Sequence, residues 1–261
     1  MPEFFLQWAV PLVVGGLLTL YFLGLLRRQV AQFRLRRPLL EVTVVSRSAV
    51  ASVLGWLTLL LLNRFLGKQA ETQELSLLAI QVSCGLNLLI TSLLPILLTD
   101  GGRRSLESAG LSTADSGRQL LLGIAGYLAA IWPTGVLLIV SQFWRNMQTE
   151  HVFLNALRNT ERGEIITWIA LSAVLAAPLA EELLFRVTLQ GWLSERMADP
   201  AAIGATALLF ALIHGWRDAL PLIPLALILG FIYQKTRSYW ACVVTHGLFN
   251  ATNLLLAILS G

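Results

Sequence analysis

About eight stretches of this chain run apolar for long enough to cross, or nearly cross, the ~30 Å hydrocarbon layer of a membrane, and nothing else in the sequence limits the fold so tightly. They run roughly from Phe4 to Leu26, Arg47 to Leu62, Leu75 to Leu98, Gln119 to Phe143, Ile165 to Glu195, Ala201 to His214, Ala219 to Tyr233 and Tyr239 to Leu259. Inside hydrocarbon each backbone N–H and C=O must be paired within the protein, so segments of this length are expected as helices. The expectation is therefore an all-α, polytopic membrane helix bundle of about eight transmembrane helices. With 56% apolar and only 13% charged residues, and mean hydropathy +0.70, the 261 residues exclude a soluble domain and give no footing for nucleic acid. The lipid bilayer is the one partner that composition names.

The first apolar run is too long for a signal-peptide core and has no basic residue before it, so it reads as a retained span. Cys84 and Cys242 both lie in apolar helices, without the spacing of a disulfide framework or a metal site, and are expected to pack. Basic residues then orient the bundle. Six fall between Arg27 and Arg47, three at Arg103, Arg104 and Arg118, two at Arg186 and Arg196, and two at Lys235 and Arg237. These thirteen occupy alternate loops, against six on the other side, so their side is expected to be cytosolic and both termini outside. The Arg27–Arg37 cluster also suits anionic lipid head groups. Trp144, Trp192, Trp216 and Trp240 sit near the expected span ends, and the loops 99–118 and 144–164 have the composition of short interfacial helices.

Against this apolar background the charges stand out. Ala177-Pro178-Leu179-Ala180-Glu181-Glu182-Leu183-Leu184-Phe185-Arg186 puts two carboxylates and a guanidinium where an unpaired charge costs several kcal/mol. At about 100° per residue Glu182 and Arg186 share a helix face, whereas Glu181 points roughly 140° away from Arg186. Glu182 and Arg186 are expected to form a structural ion pair, and Glu181 must find its partner on another helix. Two of the three histidines, His214 and His246, also lie in or beside apolar runs, with Phe210 one turn before the first and Asn250 one turn after the second. Each alone reads as a satisfied polar group in helix packing. Their joint occurrence points to a site.

Glu-Glu-x-x-x-Arg, then Phe-x-x-x-His, then His-x-x-x-Asn, in that order and in expected membrane helices, resembles the CPBP family, the CAAX-protease and bacteriocin-processing intramembrane proteases. The resemblance covers about residues 165 to 255, including Gly230-Phe231-Ile232-Tyr233 and Arg237-Ser238-Tyr239-Trp240 before the last motif. Val187 departs from the family, which often has glycine there. Residues 1–164 carry no motif and read as accessory membrane helices that form one integral domain with a catalytic bundle at 165–261. The resemblance implies an intramembrane endopeptidase in a bacterial cell membrane, acting on a peptide or protein substrate that is itself membrane-associated in the CAAX branch.

The chemistry of the residues agrees with that implication. Glu181 suits a general base that takes a proton from water, and Pro178 reads equally as a kink that aims it or as an ordinary membrane-helix proline. His214 would share that water, while His246 and Asn250 would donate to the oxyanion of a tetrahedral intermediate. Two forms stay open: no cofactor, or zinc held by Glu181, His214 and His246, although no His-Glu-x-x-His helix is present. A Cys242/His246 dyad is a lesser alternative. Outside proteolysis, intramembrane carboxylates and imidazoles also mark proton-coupled transporters, and a non-catalytic membrane immunity or scaffold protein is the third reading.

Overall fold

The structure, a computed structural model, describes residues 2–36, 45–66, 77–98, 103–142 and 163–260. His151, Arg37, Trp144 and the interfacial helix expected in 144–164 lie almost wholly outside them. Nine helices and no strand occur among the described residues: α1 (Pro2–Arg36), α2 (Arg47–Leu66), α3 (Leu77–Leu98), α4 (Arg103–Ser108), α5 (Ser116–Gln142), α6 (Gly163–Ser194), α7 (Asp199–Ile213), α8 (Trp216–Thr236) and α9 (Tyr239–Ser260). The all-α membrane bundle read from the sequence is what the chain forms.

Among the described residues six helices, α1, α3, α5, α6, α8 and α9, contain spans long and apolar enough to cross a membrane. Helix α7, read from sequence as a span, is shorter than these. At 1.5 Å per residue its fifteen residues reach only about 22 Å. It begins at the same end as its neighbours and stops inside the bundle at His214, where Gly215 takes φ +109° and turns the chain into α8. The short helix thus delivers His214 to the interior.

Specific contacts show which helix ends share a face. Glu195, just past α6, accepts the Val45 amide at 3.3 Å just before α2; Asp199 at the start of α7 holds Lys235 at 3.2 Å in the last turn of α8. Ser238, before α9, donates to Gln119 of α5 at 2.6 Å, and the Tyr239 amide donates to Gly110 at 3.2 Å in the α4–α5 connection. The basic loops therefore gather at one end. We expect Thr113→Cys to be protected from an impermeant thiol reagent in intact cells and Glu164→Cys, at the far end of α6, to react, once Cys84 and Cys242 are replaced. Labelling of the first would reverse the orientation.

One buried apolar cluster joins Leu26 of α1, Val53 of α2 and Leu122 of α5 to Leu183, Phe210, Leu229 and Tyr239, so the helices without motifs pack directly around those that carry them. Leu17, Leu20, Leu78, Ile96 and Leu259 are all more than 60% exposed, an outward apolar surface suited to lipid chains. Helix α9 lies closest to α5. A Cβ on Gly123 would stand 2.6 Å from that of Val244, and Thr245 donates to the Gly123 carbonyl at 2.9 Å.

Candidate active site

Helix α6 carries the glutamates, and it is not a regular α-helix. It is π-helical over Leu171–Ala176 and again over Leu183–Gln190, with an α-helical turn, Ala177–Glu182, between. Pro178 accounts for the first widening. It has no N–H to offer the Val174 carbonyl four residues back, and its ring crowds that carbonyl, so the preceding turn opens. The Ala177 amide accordingly donates five residues back, to Ser172.

The turn between the two wide segments places its glutamates differently. Glu182 is fully buried, and its Oε2 accepts from Arg186 Nε at 3.0 Å, the expected four-residue pair. Its Oε1 does something the sequence did not announce: it accepts from His246 Nδ1 at 2.9 Å. The carboxylate thus balances the guanidinium and orients the imidazole at once. Arg186 is also wholly buried, its guanidinium carbon 5.0 Å from the Phe210 ring centroid, a cation–π contact for a head group whose terminal nitrogens meet no acceptor among the described residues.

Glu181 faces the other way. Its Oε2 lies 3.7 Å from His214 Nε2 and 3.9 Å from His246 Nε2, and this buried oxygen has no hydrogen-bond partner among the described residues. Both imidazoles are fixed through their other nitrogen. His214 Nδ1 lies 2.7 Å from the Phe210 carbonyl, which can only accept, so Nδ1 carries the proton and Nε2 is the nitrogen that faces Glu181. Facing the Glu182 carboxylate, His246 Nδ1 likewise carries a proton. Phe210 sits at the hub, its ring 4.6 Å from that of His214, 5.6 Å from that of His246 and 5.3 Å from Phe185.

Of the site residues expected from sequence, Glu181, Glu182, Arg186, His214 and His246 therefore come together. Asn250 is placed differently. Its Nδ2 donates to the Ala173 carbonyl at 2.8 Å, in the first wide segment of α6. Cys242 is fully buried and directs its sulfur to the Leu229 carbonyl at 3.6 Å. Cys84 is buried also, and both cysteines are free.

The donor set invites comparison with a metal site. Two imidazole Nε2 atoms and a carboxylate oxygen are the types zinc takes, but ligands at about 2.0–2.2 Å with tetrahedral angles lie only about 3.4 Å apart. The separations of 3.7 and 3.9 Å are wider, and no group of three among the described residues is placed to hold a metal ion. As arranged, the residues do not fit zinc.

Sequence reasoning also missed the support beneath the site. Along α6, Glu182, Arg186, Gln190 and Ser194 recur every four residues; Gln190 donates to Gly230 at 2.9 Å and to Gln234 at 3.1 Å, and Gln234 donates to Asp199 at 2.7 Å. This polar column fastens α6 to α7 and α8. Its four-residue period was visible in the sequence, but its partners on other helices were not.

Residues 163–252, from the start of α6 into α9, match the family model described as type II CAAX prenyl endopeptidase Rce1-like, the same family that the ordered motifs resemble. No curated protein and no solved structure matches the chain.

Proposed function

We propose that this chain, whose residues 163–252 carry a domain of the CAAX-endopeptidase type, is an integral membrane endopeptidase that hydrolyses a peptide bond with a water activated by Glu181. The observation that carries the reading is the buried Glu181 oxygen, without a hydrogen-bond partner among the described residues, facing two imidazole nitrogens at 3.7 and 3.9 Å. A water among these three groups would give its proton to Glu181 and be steered by the His214 Nε2 lone pair. Its oxygen lone pair forms the bond to the scissile carbonyl carbon while the carbonyl π electrons move to oxygen. In this reading His246, its Nδ1–H held by Glu182, takes a second proton on Nε2 and donates it as a hydrogen bond to that oxyanion. On collapse the C–N bond breaks, and the leaving nitrogen takes the proton back from Glu181.

Glu181 is 18% exposed and His214 31% exposed, whereas His246 and Glu182 are sealed, so substrate and water approach from the Glu181–His214 side. Asn250 retains one amide N–H beyond its bond to Ala173, and a role as second oxyanion donor would use it. The substrate class is a peptide or protein segment at or near the membrane.

The test is a cleavage assay on purified protein in detergent with a peptide library, read by mass spectrometry, comparing wild type with Glu181→Ala. Cleavage by the wild type alone is expected. Proton-coupled uptake by reconstituted protein, with no cleavage, would favour the transporter reading instead.

A further inference from the structure

Two backbone carbonyls of α6 that lose the donor four residues ahead, one beside each wide segment, are taken by side chains from α9. In the first wide segment the Ala177 amide donates to Ser172, so the Ala173 carbonyl loses its donor four residues ahead and accepts from Asn250 instead, at 2.8 Å. At the entry to the second, the Leu183 amide turns to the Ala180 carbonyl, three residues back, and the Leu179 carbonyl likewise loses its donor. The Tyr239 hydroxyl donates to it at 2.9 Å.

Tyr239, His246 and Asn250 are spaced seven and four apart, so they lie along one face of α9, with the site histidine between the two clamps. Gly247 lets that face come close: a Cβ there would stand 2.9 Å from the Val174 carbonyl. Tyr239 is 2% exposed and its hydroxyl meets the chain two residues before Glu181. We infer that Tyr239 is a positioning residue, which through the Leu179 carbonyl fixes the rotation of the Ala177–Glu182 turn and so decides that Glu181 faces His214 while Glu182 faces Arg186 and His246. A slip of one residue, about 100°, would exchange the two carboxylates.

The catalytic half of this inference rests on Glu181 being the base, whereas the structural half does not. The test is Tyr239→Phe in the full chain, which keeps the ring and removes only the hydroxyl. We expect kcat to fall by about tenfold to a hundredfold with KM within about twofold, as misplacement of a catalytic group does. We also expect faster amide hydrogen exchange confined to residues 177–186, with the rest of the bundle unchanged. Wild-type turnover, or a fall in kcat accompanied by raised KM and faster exchange throughout, would overturn the inference. Should the wild type cleave no peptide, the endopeptidase reading fails by itself, and exchange alone decides: a local rise upholds the placement of the turn by Tyr239, and none refutes it.

Discussion

Replacing Glu181 by glutamine should give a folded protein whose peptide cleavage is slower by about a hundredfold to 10⁴-fold, the range a positioned general base contributes. The substitution keeps the shape of the side chain and removes its ability to take a proton. Because Glu181 Oε2 has no hydrogen-bond partner among the described residues, losing its charge should strand no neighbour there, and the melting temperature should stay close to that of the wild type. Expression, gel-filtration profile and melting curve of Glu181→Gln, measured beside its turnover, check the expectation. Loss of the fold together with activity would show that this carboxylate is structural.

The opposite pattern is expected one residue along. Glu182→Gln removes the charge that Arg186 and His246 both depend on at 3.0 and 2.9 Å, in a place with no solvent exposure. Breaking a buried pair by removing one partner costs about 3–5 kcal/mol, so thermal stability and yield should drop sharply. Activity should drop as well, since His246 loses the carboxylate that orients its imidazole. A double variant separates the two effects. Glu182→Met with Arg186→Met removes both charges and fills the space with apolar side chains, and such replacements are often neutral or stabilising. We expect it to regain much of the stability and to remain inactive; recovery of both would mean that Glu182 serves Arg186 alone.

That dual role marks where reading the sequence stopped. The Glu182–Arg186 pair was legible because four residues on a helix is a fixed geometry, and the convergence of Glu181, His214 and His246 was legible from the order of motifs and the cost of stranding charge in lipid. The bond from His246 to Glu182 was not, because it spans 64 residues and depends on how α9 is rotated against α6. Rotation of that kind is set by packing, here by Gly123, Gly126 and Gly247, whose missing side chains let the helices approach. The wide turns of α6 were half legible. Pro178 announced a kink, but not that Asn250 and Tyr239 would take carbonyls released along the irregular helix. The shortness of α7 was not legible, because an apolar helix that ends inside the bundle has the same composition as one that crosses it.

The metal question bears most directly on the central claim, that Glu181 activates water without help from zinc. Both histidines offer Nε2 toward Glu181, so the sequence and the donor types favour neither form, and only the separations of 3.7 and 3.9 Å favour a water held by side chains alone. The deciding measurement is metal content and turnover on one purified sample, before and after a strong chelator and after adding back zinc. The account predicts well under one equivalent of metal in the active protein, and turnover that neither chelation nor zinc changes. Stoichiometric zinc, removed together with activity by the chelator, restored with it, and absent from His246→Ala, would contradict the account and make Glu181 a ligand rather than the base.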